Sequence, residues 1–219
     1  MKKSDQGILI SDKIGIGCWQ IGGNHKARGW DPLSLNERTK LIEYAIDLGM
    51  KFFDTAVAYG NGESEKILGN GIKNSRKRDS IFICTKVSFD QINNLEEINW
   101  STFENSLTES IKRLQIEKID ILLLHNPPQS FITEKIKEFF MKAIDKGLVK
   151  EYGVSAKTIQ DLEIGLERKF GSFFQWNYSL LERRVDALFL NKSFGTGQNF
   201  IGRSLLYRGL LTEHFLKHG

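Results

Sequence analysis

Lys51-Phe52-Phe53-Asp54-Thr55-Ala56-Val57-Ala58-Tyr59-Gly60 opens on a short apolar run that stops at a carboxylate. A run of this length and β-type composition reads as a strand, and Lys51–Asp54 is the first of a series. The same figure recurs at Ile81–Lys86, Ile119–His125, Tyr152–Ser155, Phe173–Asn177 and Phe200–Ser204. Apolar character in these runs is nearly continuous rather than alternating, which suits parallel strands covered on both faces.

Helix-like segments fill the gaps, at the spacing a βα repeat demands. Leu41, Ile42, Ala45, Ile46 and Leu48 form one apolar face ahead of the first strand, with Gly49 as a stop. Phe103, Leu107, Ile111 and Leu114 form a second, with Ser101 and Glu104 at capping-box spacing. Ile136, Phe139, Phe140 and Ile144 form a third, closed by Gly147, and Thr158–Phe170 and Glu182–Lys192 read as two more. Gly7–Gly17 alternates around Ser11-Asp12 like a small hairpin able to cap one end of a barrel. The expectation is an α/β chain of (β/α)8 TIM-barrel type, incomplete at six βα strands where eight close a barrel, in one domain over residues 1–219. An open parallel sheet of this kind leaves two apolar edges with unpaired backbone groups. It predicts a homo-oligomer, a partner or the chain's own tail covering them.

Composition agrees with a single core. The chain has 219 residues, 40% hydrophobic and 26% charged, with a formal net charge of +4. That excess is too small to argue for nucleic acid or an anionic membrane surface. No apolar run is longer than the four residues of Ile121–Leu124, far below membrane-spanning length, and Met1-Lys2-Lys3-Ser4 leads into no apolar signal core. The expected location is the cytoplasm. Two cysteines, Cys18 and Cys84, are too few and too scattered for a disulfide framework or a zinc site, and no metal is expected.

Polar or reactive residues end the strands: Asp54, Lys86, His125, Ser155 and Gln175. In βα barrels that end carries the active site, because the βα loops converge there. Adjacent parallel strands lie about 4.8 Å apart, so Asp54, Tyr59, Lys86 and His125 can converge on one pocket. A buried Lys86 ammonium held by Asp54 is expected to lower Tyr59 from its reference pKa of about 10. A tyrosine so placed can donate a proton to a carbonyl oxygen that is becoming an alkoxide, and a neutral His125 can orient that oxygen. None of the four supplies electrons, so a hydride must come from a cofactor.

These stretches resemble the aldo-keto reductases. The resemblance is carried by Phe53-Asp54-Thr55-Ala56, Tyr59-Gly60, Cys84-Thr85-Lys86, Leu124-His125-Asn126-Pro127 and Gly153-Val154-Ser155. Gly17-Cys18-Trp19, Gln175–Leu181 and Arg208-Gly209-Leu210-Leu211-Thr212 extend it over nearly the whole chain, in order. It implies a (β/α)8 barrel that reduces an aldehyde or ketone, a small-molecule carbonyl substrate, with NADPH (NADP+) as cofactor. Tyr59 would be the general acid, Asp54 and Lys86 its tuning pair, and His125 the carbonyl orienter. Ser155 and Gln175 would hydrogen-bond the nicotinamide carboxamide and Trp19 would lie near the ring. Asp54, Arg203, Ser204 and Leu206 would complete the cofactor contacts. Three features depart from the family pattern. Ala156 stands where an Asn commonly shares the carboxamide contact. Arg203 stands where a Tyr often stacks on the nicotinamide; a guanidinium can stack too, but it repels the oxidised, cationic ring differently. Family members also run on for roughly another hundred residues, through the last two strands of the barrel.

Other readings stand beside these. Lys86 as a Schiff-base lysine would leave Tyr59 and His125 without a role. Gly60-Asn61-Gly62-Glu63-Ser64-Glu65 lacks the Walker lysine, and its acid groups repel phosphate. It reads as a turn followed by the charge bias of a helix start. Lys73-Asn74-Ser75-Arg76-Lys77-Arg78 reads as a solvated helix-to-strand loop, and Cys84 as a buried strand thiol. The alternative to a working reductase is a catalytically impaired barrel segment that binds a partner.

Overall fold

A computed structural model describes residues 14–23, 33–89, 97–190 and 195–218. Seven parallel strands run in chain order: β1 (Ile16–Gly17), β2 (Phe52–Asp54), β3 (Phe82–Val87), β4 (Ile119–His125), β5 (Val149–Ser155), β6 (Phe173–Asn177) and β7 (Asn199–Arg203). The helices that follow them are α1 (Leu35–Asp47), α2 (Glu63–Ser75), α3 (Trp100–Leu114), α4 (Glu134–Asp145), α5 (Ile159–Glu167), α6 (Asp186–Leu190) and α7 (Glu213–His218). The sheet is a nearly closed barrel with helices outside, and β1 and β7 are the edges of its described part.

All six expected strands are present, within a few residues of their expected ends, and a seventh joins them. The hairpin expected over Gly7–Gly17 lies outside the described residues up to residue 13. Its last residues, Ile16–Gly17, are instead a barrel strand, parallel to β2 with Ile16 opposite Phe53 and Gly17 opposite Asp54. Two residues are too short a run to show any periodicity, so the hairpin reading had nothing to contradict it.

Local chemistry sets the helix starts. Ser34 and Glu37 form a capping box on α1, Thr158 and Asp161 another on α5, and Thr133 caps α4. The cap of α3 is Asn99, whose side chain accepts from the Thr102 amide at 3.0 Å, rather than Ser101. Asn99 keeps an extended backbone outside the helix, as a cap must, whereas Ser101 already lies in the first turn. On α1, Ile42 and Ile46 are buried but Leu41 and Leu48 are exposed, at 48% and 63%. Leu41 sits about 100° around the helix from Ile42 and so misses the buried stripe.

The strands alternate between two apolar layers. Phe53, Ile83, Leu122, Leu124, Val154, Phe174 and Trp176 belong to the main core under the helices. Phe52, Cys84, Ile121, Leu123 and Phe173, with Phe82 and Ile201 against them, form a second and smaller cluster inside the barrel. Counting on by two from these inner residues gives Asp54, Lys86, His125, Gln175 and Arg203, and Ser155 joins them as the register partner of His125 and Gln175. The floor is apolar. The mouth above it is polar.

Candidate active site

Lys86 is fully buried, and its three ammonium hydrogens have three acceptors. Its Nζ lies 2.7 Å from Asp54 Oδ1, 2.7 Å from the Thr55 carbonyl oxygen and 3.2 Å from Tyr59 Oη. Because Tyr59 Oη accepts from the ammonium, its own proton is left for another acceptor. The ring of His125 stands edge-on to Tyr59, with centroids 6.0 Å apart and planes at 84°. Asp54, Tyr59, Lys86 and His125 therefore come together as the spacing predicts.

Tyr59 is off the strands, and backbone approach fixes its loop. The Thr55 amide donates to the Cys84 carbonyl at 2.8 Å, and Gly62 N donates to the Val57 carbonyl at 2.6 Å. Ser64 Oγ bridges the Cys18 carbonyl at 2.7 Å and Thr55 Oγ1 at 2.8 Å, tying the start of α2 to the ends of β1 and β2. Gly60, at φ +68°, lies so close to Gly22 that a Cβ on it would be 1.3 Å from the Gly22 carbonyl oxygen. No other residue fits there.

One site residue was not foreseen. Glu65, read from the sequence as part of the charge bias of a helix start, is completely buried. It accepts from Thr85 Oγ1 at 2.6 Å and from Arg113 Nε at 2.7 Å, joining α2 and α3 to the strand residue next to Lys86. An acidic residue in a first helical turn looks the same in sequence whether it faces water or a buried threonine.

Further round the mouth, Ser155 and Gln175 are register partners on β5 and β6. Ser155 Oγ donates to Gln175 Oε1 at 2.7 Å, and Gln175 Nε2 donates to Asp54 Oδ1 at 3.1 Å. These residues thus join the Asp54–Lys86 pair in one chain of hydrogen bonds. Asn126, whose amide N–H donates to the Ser155 carbonyl at 2.7 Å, holds a buried Oδ1 without a hydrogen-bond partner among the described residues. Arg203 follows at the end of β7. Its Nη1 donates to Asn177 Oδ1 at 2.6 Å and its Nη2 to the Ala156 carbonyl at 3.0 Å. Trp19 caps a 3-10 turn just after β1, where the Cys18 amide donates to the Asp54 carbonyl at 2.7 Å. Ser204 and Leu206 lie on an exposed run of turns beyond β7, in which Tyr207 N donates to the Ser204 carbonyl and Gly209 N to that of Leu206.

The electrostatics correct one expectation. Burial is the largest influence on Tyr59 and pushes its phenol above the ordinary value. Lys86 and Arg203 pull it back and Asp54 opposes them, but the net direction is upward, not down. For Lys86, burial on its own favours the neutral amine, yet Asp54, with Tyr59 and Cys84 behind it, more than reverses this. The ammonium is held above its ordinary range. Burial also pushes up the thiols of Cys18 and Cys84, leaving both protonated and unreactive.

Two clefts in the helix layer share no residue with this mouth. One of about 370 Å³ is lined by Lys66, Asn70, Lys112, Arg113 and Gln115. The other, about 460 Å³, is lined by Leu35, Asn36, Thr39, Asn70, Lys73 and Asn74. Neither holds a buried acid–base pair.

The family model described as "Aldo/keto reductase family" matches residues 13–219. The chain belongs to the aldo/keto reductase family. Among its relatives is the aldo-keto reductase YhdN of Bacillus subtilis, 32% identical over 211 residues, which cover 95% of this chain and 62% of YhdN. The aldo-keto reductase yakc [NADP(+)] of Schizosaccharomyces pombe is 30% identical over 146 residues, 65% of this chain and 42% of that protein. The chain therefore spans less than two thirds of the length of both relatives. The aldo-keto reductase AKR11C1 of Bacillus halodurans, solved in its holo form, superposes with a TM-score of 0.75 at 24% identity. The match covers 92% of this chain and 64% of that one, a likeness of fold. In aldo/keto reductase terms, the polar mouth at the C-terminal strand ends is where the family's barrel places its chemistry. No described helix is long and apolar enough to cross a membrane.

Proposed function

We propose that this protein reduces a carbonyl compound to an alcohol with NADPH, and that Tyr59 donates the proton. The observation that carries this reading is the Lys86 ammonium, held between Asp54 Oδ1 and Tyr59 Oη at 2.7 and 3.2 Å. It stabilises the phenolate that proton donation leaves behind. A phenol pushed upward by burial stays protonated through neutral pH, as a donor must. His125, edge-on to the ring, is placed to orient the same oxygen.

The strand ends fit the nicotinamide group. Ser155, Gln175 and Asn126 offer donors and acceptors side by side, and Asn126 Oδ1, without a partner among the described residues, is a buried acceptor of the kind a carboxamide N–H satisfies. When bound, the cofactor supplies the hydride. Ser155, Gln175 and Asn126 would hold its carboxamide, and Trp19, Asp54, Arg203, Ser204 and Leu206 would supply the remaining contacts. The NADP(+) in the name of the yakc relative supports this choice of cofactor.

Schiff-base chemistry at Lys86 needs a neutral amine with a free lone pair. An ammonium held above its ordinary range by Asp54, with all three hydrogens engaged, opposes that step. A second reading, a barrel segment that binds a partner without turnover, draws on the β1 and β7 edges, which pair on one side only within the described sheet.

Substitution of Tyr59 by Phe separates the readings. Carbonyl reduction is expected to fall by about 10²- to 10⁴-fold, the usual range for a lost general acid, with NADPH affinity kept within a few-fold. Loss of affinity to the same degree as loss of turnover would contradict the role.

A further inference from the structure

Arg203 is a second cation in a mouth that already holds Lys86. Its two hydrogen bonds fix the guanidinium across the ends of three strands: β7, from which it projects, β6 through Asn177 Oδ1, and β5 through the carbonyl of Ala156, the residue after Ser155. The side chain is part-buried, and its Nε has no hydrogen-bond partner among the described residues. Burial lowers its pKa, while Tyr59 and Asp54 act in the opposite direction. A guanidinium nonetheless stays protonated at neutral pH. Asp54 is the one carboxylate that acts on it among the described residues, and Asp54 is already bonded to Lys86 at 2.7 Å. With Tyr59 protonated, Lys86, Arg203 and Asp54 sum to one net positive charge among the described residues.

We infer that Arg203 sets the redox preference of the site: fixed beside the Ser155–Gln175 pair, its charge favours the reduced, neutral nicotinamide over the oxidised, cationic one. The inference rests on the nicotinamide reading above and adds to it the residue that discriminates the two cofactor forms. The physical reason is Coulombic. An anchored charge cannot swing away from a cation formed beside it, and a partly desolvated site screens the repulsion weakly. The same charge favours the Tyr59 phenolate left when the proton has gone to the alkoxide, so one residue helps proton donation and opposes retention of the oxidised product.

The test is a pair of binding titrations, NADPH and NADP+, on the full chain and on Arg203→Met, Arg203→Gln and Arg203→Lys, with folding checked by circular dichroism. The wild-type chain is expected to bind NADPH more tightly than NADP+. In Arg203→Met that preference shrinks by about tenfold, mainly through tighter NADP+ binding, as removal of one nearby charge requires. Arg203→Gln, which can still hydrogen-bond the Ala156 carbonyl, shows the same change and serves where the Met variant does not fold. Arg203→Lys retains most of the preference. An unchanged preference in both neutral variants overturns the inference and leaves the nicotinamide reading intact. A preference lost equally in Arg203→Lys assigns it to the guanidinium's shape and overturns the charge argument. A folded wild-type chain that binds neither form overturns the reading and the inference together.

Discussion

At Tyr59 the balance between burial and charge decides what the residue can do. Lys86 at 3.2 Å pulls the phenol toward ionisation, but taking the ring out of water costs more, so its pKa rises. That Lys86 and Asp54 would meet Tyr59 was legible in the sequence, because polar residues end apolar runs at strand spacing. The sign of the shift was not, since it depends on a depth of burial that pairwise charge reasoning omits. A raised pKa has a definite consequence. Carbonyl reduction is expected to be flat from about pH 6 to 9 and to fall only above about pH 10, where the donor ionises. A fall centred between pH 7 and 9 that vanishes in Tyr59→Phe would mean a depressed phenol. Stability follows the same sign. Tyr59 and Lys86 both hold their protons more tightly folded than unfolded, so their contribution is complete below about pH 10 and is lost as the pH rises further.

Between elements, the connections that hold the site are polar and buried. Glu65 joins α2 to Thr85 on β3 and to Arg113 on α3, next to the residue whose ammonium organises the mouth. Glu65→Ala strands a largely buried guanidinium and a buried hydroxyl, a loss we place at about 2–3 kcal/mol given that Arg113 keeps some access to water. Urea unfolding measures this directly, and a change under about 0.5 kcal/mol would contradict the role. Most strands were readable as apolar runs, and β4 and β6 match their expected limits, but the Val149-Lys150-Glu151 start of β5 is too polar to show as one. β1 was not, for its two residues carry no pattern and are placed only by pairing with β2. The face of α1 shows the same limit. Leu41 and Ile42 are equally apolar, and only tertiary packing, with Ile42 set against Gly71 of α2, decides that Ile42 is the one buried.

Across the molecule, strands β2 to β7 bring six residues to one rim, and all but Ser155 lie two residues beyond an apolar side chain of the barrel floor. This alternation was present in the sequence but hidden where apolar residues occupy both faces of a strand, as in β4, which is why such runs read as continuous. The groups assigned to the nicotinamide come from the ends of β1 and β4 through β7, and those assigned to proton donation from β2 to β4 and the loop after β2. All lie within the described part of the barrel. The central claim is that this rim binds a nicotinamide cofactor. The measurement that tests it most directly is a fluorescence titration of the folded 219-residue chain with NADPH. Saturable binding in the micromolar range is the predicted result. A chain that is folded by circular dichroism and yet leaves NADPH emission unchanged would contradict it.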